Sequence, residues 1–271
     1  MGTSTRNKGR NGHSPLVPSW LEESNGMQSS NGTEMQIPMT VIPVNADSNR
    51  LRGPRTLFTN FVNSGGRDTG SARRAISYYV SRSLGGSSNA VQHLGSARRS
   101  TAKLHGVLSI LSGEGGVQEV ARLFSIENLE GLPATLFFIK VAEFICPDGG
   151  PNDEGMVRSS YFETINDPLL ASKTTEQLTG EECEEVLKNF MSHIIMEHIE
   201  NDIGSQVIIL PDDVDTVSQI EDKVRQIIKQ DVSDAFVEEH TNNVAITNEV
   251  AQIITDRIYK KAFELLEGLG D

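Results

Sequence analysis

Apolar residues recur at helical spacing through most of the chain after residue 53. Residues three and four apart share one face of an α-helix, so this spacing predicts helices with a buried inner face. Pro54 suits a first helical turn, and Gly85 with Gly86 suits a helix end. The apolar stripes predict helices over residues 54–64, 71–86, 87–113, 134–146, 181–200, 213–236 and 248–268.

Local end signals support two of these helices. Thr179 and Glu182 have the spacing of a capping box, in which each side chain accepts a hydrogen bond from the backbone of the other residue. Asp212 or Asp213 can cap the helix that follows. These signals place both helix starts in the acidic part of the chain.

Two segments depart from the helical pattern. Residues 146–155 (CPDGGPNDEG) are typical of a turn-rich loop, and residues 207–210 (VIIL) form the one convincing strand-like run. The sequence therefore predicts a mainly α fold, with a helical bundle-like body and a long, irregular N-terminal arm.

The predicted arm covers residues 1–50, which are rich in Pro, Gly and Ser and poor in large apolar groups. Such a composition cannot offset its own ordering entropy, which favours a flexible segment. Two strips within it, PLVPSWL at 15–21 and MQIPMTVIPV at 35–44, combine proline with aliphatic residues and are expected to be extended. Such strips dock on a surface, either that of a partner or that of this protein's own body.

Charge is unevenly distributed along the chain, whose formal net charge is −13. Residues 1–110 hold 13 Lys and Arg against 5 Asp and Glu, whereas residues 111–271 hold 11 against 32. After the arm, we therefore expect a basic helical segment over 51–112 and an acidic helical domain over 113–271.

The cysteines and the apolar runs indicate the compartment. Cys146 and Cys183 are the only cysteines, and we expect both to be buried and reduced. No apolar run approaches the roughly 18 residues of a membrane span, and the first 20 residues lack the apolar core of a signal peptide. The sequence predicts a cytoplasmic protein that does not bind membranes.

No residue pattern typical of a catalytic or metal site is evident. His193 and His198 are five residues apart, about 500° around a helix, so they cannot face one metal ion. His193 and Glu197 have a suitable offset, but two ligands make no site, and a surface ion pair or hydrogen bond is expected. A phosphate-binding loop of the form G-x-x-x-x-G-K-[ST] is absent. We expect no catalytic residues, no metal and no cofactor.

Arginines are concentrated between residues 50 and 103, with aromatic residues among them. This combination is typical of proteins that contact nucleic-acid phosphates. The alternative, which we favour because the acidic half needs neutralising, is that the arginines pair with carboxylates of this chain or of an acidic partner. The candidate residues are Arg52, Arg55, Arg73, Arg74, Arg98 and Arg99.

The order of several short motifs over residues 1–112 resembles that of the QatB family, subunits of the bacterial Qat anti-phage defence systems. The motifs are Met1-Gly2-Thr3-Ser4, Pro15-Leu16-Val17-Pro18-Ser19-Trp20, Arg52-Gly53-Pro54-Arg55-Thr56, Tyr78-Tyr79-Val80, Gly85-Gly86 and Ala97-Arg98-Arg99. Residues 113–271 carry no motif of this kind.

The resemblance implies both partners and a modification. QatB-like proteins are encoded beside an ATPase, a QueC-like enzyme and a TatD-like nuclease. QueC enzymes make a 7-deazapurine nitrile in an ATP-dependent step, and their defence relatives resemble enzymes that join a 7-deazaguanine to the N-terminal glycine of a protein. By analogy, this chain is expected to be a non-enzymatic subunit that binds the QueC-like enzyme through its arm and accepts a 7-deazaguanine-type group on the Gly2 amine.

The first residues suit that role. Gly2 permits removal of Met1, and the resulting α-amine has no side chain beside it to obstruct a narrow active site. N-myristoylation, the other use of a Met-Gly start, requires Ser or Thr where Arg6 stands. Trp20, the only tryptophan, is expected to be the main contact of the recognition strip. The expected partner-binding residues are Thr3, Ser4, Pro15, Leu16, Val17, Pro18, Trp20 and Leu21.

Two other functions stay open at this point. The chain could be a nucleic-acid-binding or sensing subunit that uses the basic residues 50–103. It could also be a scaffold whose acidic helices dock the defence ATPase.

Overall fold

In the computed structural model, the described residues are 49–113, 116–147, 152–203, 213–238 and 248–270. These residues are helical almost throughout and contain no strand, so the predicted mainly α, bundle-like body is confirmed. Their α-helices are α1 Arg52–Asn63, α2 Thr69–Tyr78, α3 Ser87–His93, α4 Ser96–Leu111, α5 Gly116–Phe124, α6 Ala134–Ile145, α7 Asn152–Ile165, α8 Pro168–Ser172, α9 Gly180–Ile203, α10 Val214–Glu238 and α11 Asn248–Gly268.

The chain divides into two units, Met1–Met39 and Thr40–Asp271, and every described residue belongs to the second. The predicted N-terminal arm and its two strips lie outside the described residues, as does the strand-like run at 207–210.

The first two helices, α1 and α2, pack against each other. Asp68 caps α2, because its carboxylate accepts hydrogen bonds from the backbone N–H of Ser71 (3.0 Å) and from the Ser71 hydroxyl (2.6 Å). The helix continues into a π-helical turn, Tyr79–Ser83. It ends at Gly85 and Gly86, whose φ angles are +81° and +97°, as the glycine pair predicted.

The single helix predicted over residues 87–113 is wrong, because the structure divides it into α3 and α4. Gly95 lies between them with a φ of +52°, which is outside the right-handed helical region. The apolar stripe runs through this break, since Leu94 before it and Ala97 after it are both buried. Hydrophobic spacing alone could not show that the backbone turns there.

The helix starts predicted in the acidic half are confirmed. Thr179 and Glu182 form the capping box, with N–H···O distances of 3.0 and 3.2 Å. The Asp213 carboxylate accepts a 3.2 Å hydrogen bond from the backbone N–H of Thr216 at the start of α10. The predicted loop at 146–155 is wrong in its last part, because α7 already begins at Asn152.

One hydrophobic core runs through the whole described body. Phe61 and Tyr79 contribute to it from the basic segment, and Phe190 and Tyr259 contribute from the acidic helices. α9 carries buried residues all round its axis and packs against α4, α7 and α10, while α11 packs against α2, α3, α4 and α10. None of the helices in the described ranges combines the length and apolarity that crossing a membrane requires.

Candidate functional site

Contacts between the basic segment and the acidic helices converge on Asp202, near the C-terminal end of α9. The Tyr79 hydroxyl donates a 2.8 Å hydrogen bond to Asp202 Oδ2, and His93 Nε2 lies 3.4 Å from the same oxygen. Arg55 Nη2 donates to the backbone carbonyl of Asp202 at 2.8 Å. The imidazole of His198, one turn earlier on α9, lies 5.6 Å from that of His93 between ring centroids. We call these five residues the Asp202 cluster.

The pKa shifts in the Asp202 cluster favour an ionised Asp202 beside a neutral Tyr79. Burial acts to raise the pKa of Asp202, but hydrogen bonds from His93 and Tyr79 outweigh it and hold that pKa below its usual value. Burial, together with the nearby carboxylate, raises the pKa of Tyr79 well above its usual value, so the phenol stays a donor. The Arg55 guanidinium lies at the C-terminal end of α9, where a positive charge is favoured.

The Asp202 cluster is therefore suited to joining helices rather than to attacking a substrate. The Tyr79 side chain is only 1% exposed, so its hydroxyl cannot reach a molecule in solvent. Its carboxylate partner is already engaged by two side chains. The cluster fixes α1, the π-helical turn and α3 to the end of α9.

A second contact joins the two halves at α4 and α11. Arg98 Nε donates a 2.8 Å hydrogen bond to Asp256 Oδ1, and Arg98 Nη2 donates to the other carboxylate oxygen, which makes the pair bidentate. One turn further along α4, the hydroxyls of Thr101 and Tyr259 are hydrogen-bonded at 2.8 Å in a buried position. Hydrogen bonding to Asp256 raises the pKa of Arg98.

The six candidate arginines thus fall into two groups. Arg98 is paired with the Asp256 carboxylate of α11, whereas Arg55 donates to a backbone carbonyl of α9. The other four side chains are exposed. These are Arg52, Arg73, Arg74 and Arg99.

Two of the exposed arginines have a defined environment. Arg99 and Lys103 line a hollow of about 280 Å³ between α4 and α7. Arg73 lies near the buried carboxyl of Asp231, whose pKa is raised to about 6 by burial and by Asp234, while Arg73 opposes the rise. The side chains of Arg73 and Arg99 are nevertheless both exposed.

A polar hollow of about 310 Å³ lies among α7, α9 and α10, a site that the sequence did not indicate. His193 lies there, with Nδ1 3.0 Å from the Thr164 hydroxyl and Nε2 3.8 Å from the Glu163 carboxylate, whereas its expected partner was Glu197. Burial lowers the pKa of His193. Burial and neighbouring carboxylates raise the pKa of Glu200 to about 7. Thr164 of α7, His193 of α9 and Arg225 of α10 line the hollow together only because α7 and α10 both pack against α9.

Metal-ligating and nucleophilic groups are not assembled in the described part of the chain. No three His, Cys, Asp or Glu residues within it are grouped so that they could hold a metal ion. Cys146 and Cys183 are both buried free thiols, as expected, and burial raises the pKa of Cys146 to about 12. The predicted modification and partner-binding residues, Gly2 to Ser4 and Pro15 to Leu21, lie outside the described residues.

These observations define an all-α protein in which arginine-bearing helices are fixed to acidic helices by a buried polar cluster and a bidentate ion pair. Residues 85–266 match the family described as Qat anti-phage system associated protein QatB. This match covers more than half of the chain, so the chain belongs to the QatB family. Comparison with curated proteins and with solved structures gave no match.

The family match confirms the resemblance seen in the sequence and extends it. The short motifs that carried the resemblance lie within residues 1–112, whereas the matched range begins at Gly85 and includes the acidic helices through most of α11. The acidic helices, which showed no recognisable motif, are thus part of what defines the family.

Proposed function

We propose that this chain is a non-enzymatic subunit of an anti-phage defence complex that binds a QueC-like enzyme through its N-terminal arm and accepts a 7-deazaguanine-type group on the Gly2 amine. Membership of the QatB family is the observation that carries this proposal, because it assigns the chain to a multi-component anti-phage system. The Met-Gly start and the PLVPSWL strip supply the acceptor and the recognition sequence.

The chemistry of an α-amine supports Gly2 as the acceptor. With a pKa of about 7.7–8.0, on the order of a tenth of such an amine is neutral and nucleophilic at pH 7, whereas lysine amines are almost wholly protonated. A QueC-like enzyme would use ATP to activate a 7-carboxyl group of the deazaguanine. The amine nitrogen then forms a C–N bond to that carbon, the bond to the activating group breaks, and the amine proton passes to solvent.

The described body supports a carrier role. Asp202 is hydrogen-bonded to Tyr79 and to Arg55, and Arg98 is bound to Asp256. The two thiols are buried. These features leave the reactive chemistry to the partner enzyme and the acceptor amine to the N-terminus.

Intact-mass and N-terminal peptide mass spectrometry after co-expression with the QueC-like enzyme tests the modification. We expect a mass increase on the peptide that begins with Gly2. Gly2→Asp prevents removal of Met1 and should abolish the increase, whereas Gly9→Asp makes the same change in charge in the same segment and should retain it. An unmodified Gly2 peptide in cells that resist phage refutes the acceptor role.

Trp20→Ala tests the recognition strip separately from the acceptor. We expect this variant to lose modification at limiting enzyme, because the strip would no longer hold the terminus near the active site, while Trp20→Phe should retain most of it. Modification of Trp20→Ala as complete as that of the wild type would show that Trp20 does not contribute to recognition of the enzyme.

Nucleic-acid binding is a second candidate, supported by the exposed positions of Arg52, Arg73, Arg74 and Arg99. Binding through phosphates weakens steeply with salt, so affinity for duplex DNA measured between low and physiological ionic strength is the test. Absence of binding at low ionic strength excludes this function. Docking of the ATPase on the acidic helices stays a prediction.

A further inference from the structure

The outward face of α6 is unusually apolar. Leu136, Ile139 and Phe144 on this helix are 49%, 46% and 40% exposed, and Leu123 at the end of the adjacent α5 is 49% exposed. Positions 136, 139 and 140, and 143 and 144 share one face of a helix, so three of the five outward positions are large apolar residues. A helix face that borders only solvent is expected to be polar, so this face departs from the usual pattern.

The two charged residues on this face are turned toward its edges. Lys140 Nζ donates a 3.2 Å hydrogen bond to the backbone carbonyl of Asn128, and the Glu143 carboxylate accepts a 2.7 Å hydrogen bond from Arg158 Nη2 on α7. The Glu143 charge is therefore paired with Arg158, and the Lys140 ammonium is held at the segment between α5 and α6. The charged positions thus do not place free charges over the apolar side chains.

The face rests on a rigid support. The opposite side of α6 is buried, and Phe138 on that side is held by its backbone carbonyl, which accepts a 2.8 Å hydrogen bond from the buried hydroxyl of Tyr161. Phe144 packs against Phe124 of α5 with ring centroids 4.3 Å apart. An apolar surface that is already ordered costs less conformational entropy when a partner binds it.

The other large apolar residues exposed in the described body carry less weight. Val214, Val237 and Val250 lie within three residues of the segments 204–212 and 239–247, which are outside the described residues, and Ile253 is a single exposed residue further along α11. Leu123, Leu136 and Ile139 lie within the continuous described range 116–147. The α6 face is therefore the better candidate for an interaction surface.

The charges around the face indicate what kind of partner it fits. Glu127 and Glu130, on the segment between α5 and α6, are exposed, as is Glu176, which accepts a hydrogen bond from the backbone of Gly131. The edge formed by this segment is thus acidic, and residues 111–271 as a whole carry an excess of acidic residues. A second copy of the chain is disfavoured, because pairing two such faces would bring acidic surfaces together.

We propose that the α6 face, defined as Leu123, Leu136, Ile139 and Phe144, docks an amphipathic helix of a partner protein whose apolar stripe is bordered by Lys or Arg. An amphipathic helix carries apolar residues three and four apart on one face, and such a stripe can cover the exposed apolar side chains of α6. The basic border of the partner helix pairs with the acidic edge at Glu127 and Glu130 and sets the orientation. None of these four residues belongs to the proposed acceptor segment.

The test uses the full chain and a fluorescent 14-residue probe peptide with Leu at helical i, i+3 and i+4 positions and Lys at most others. Ile139→Glu should weaken binding of the probe at least tenfold, whereas Ile253→Glu, the same change at an exposed apolar position on α11, should change it less than twofold. Ile139→Ser is the second variant, in case the glutamate perturbs folding, which circular dichroism checks. A peptide of the same composition with dispersed leucines should bind at least tenfold more weakly.

The alternative occupants give distinct results. Dimerisation of the chain in light scattering that Ile139→Glu abolishes would assign the face to a second copy and overturn the proposal. Binding to phosphatidylcholine vesicles but not to the probe would also overturn it, as would equal binding of the probe to both glutamate variants. Because the probe assay does not involve Gly2, its outcome is independent of whether the N-terminal modification occurs.

Discussion

The hydrogen bond between Tyr79 and Asp202 offers a sharp test of how the two halves of the chain are held together. Tyr79→Phe removes one oxygen atom and leaves the buried ring in place, so the change creates almost no cavity. The oxygen that is lost lies 2.8 Å from Asp202 Oδ2. The variant therefore isolates the hydrogen bond from the packing of the side chain.

The expected cost follows from the charge of the acceptor. A hydrogen bond to a charged group contributes about 1.5–3 kcal/mol to stability. Asp202 keeps its contact with His93 at 3.4 Å and is partly exposed, which places the loss near the lower end, about 1.5 kcal/mol. For a body of this size, such a loss lowers the melting temperature by roughly 3–6 °C.

Urea unfolding followed by circular dichroism at pH 7 measures this cost. Tyr78→Phe is the matched control, because Tyr78 is the adjacent tyrosine and is 41% exposed, so its variant should stay within about 0.5 kcal/mol of the wild type. A double-mutant cycle with Asp202→Ala, which removes the acceptor that Asn would retain, should return most of the Tyr79→Phe loss as coupling energy.

The pH dependence gives an independent check. The pKa of Asp202 is lower in the folded than in the unfolded chain, so its ionised form contributes stability above the unfolded pKa of about 3.9 and loses that contribution as pH falls through the folded pKa. The difference between wild type and Tyr79→Phe should therefore persist from pH 7 to pH 5 and shrink in stronger acid. Equal stability of Tyr78→Phe and Tyr79→Phe at pH 7 would refute the reasoning.

Three further predictions concern charge and the thiols. Arg98→Gln should lower the free energy of unfolding by about 1 kcal/mol, because it breaks a bidentate but partly exposed pair, and high salt should reduce the difference in urea unfolding. Glu200→Gln should raise the free energy of unfolding at pH 8 by about 1 kcal/mol after discounting for partial exposure, with little effect at pH 5, because a carboxyl whose folded pKa is raised to about 7 destabilises the fold as pH rises from about 4.5 through 7. The two cysteines should react with a thiol reagent at pH 8 only on unfolding, because both are buried.

Each of these predictions has its own control and its own contrary result. Arg99→Gln, the adjacent exposed arginine, should change stability by less than about 0.5 kcal/mol, and a loss equal to that of Arg98→Gln would contradict the internal pairing. Glu130→Gln, an exposed carboxylate, should show no such pH dependence, and equal pH profiles would contradict a burial effect at Glu200. Thiol reaction with the folded chain faster than unfolding would contradict the buried positions.

Most of the longer helices could be predicted from their apolar spacing, but α5, α7 and the short α8 were missed. α7 was missed because Ser160 and Thr164, both polar, face the core, where the Thr164 hydroxyl donates a hydrogen bond to the Ser160 carbonyl. Polar residues that point inward remove the apolar period on which the prediction depends. Its first turn also falls in a segment rich in turn residues, Gly149 to Asp153.

The charge contrast between the two halves could also be predicted, but the pairing could not. The Arg98–Asp256 pair and the Tyr79–Asp202 bond each join residues more than 120 positions apart. Such contacts depend on how the helices pack against one another, which a local sequence pattern does not indicate. Composition could indicate that arginines pair internally. Only the fold shows that Arg98 binds the Asp256 carboxylate and Arg55 the backbone carbonyl of Asp202, whereas the adjacent Arg99 is exposed.

The shared core has a mechanical consequence for any rearrangement of this protein. Because side chains from α1, α2 and the π-helical turn interlock with those from α9 and α11, no hinge can open between the oppositely charged parts without breaking the interior. Binding of a partner at one part of the body would therefore cause only a small shift of packed helices or a change at the surface. Domain-like opening within the body is not expected.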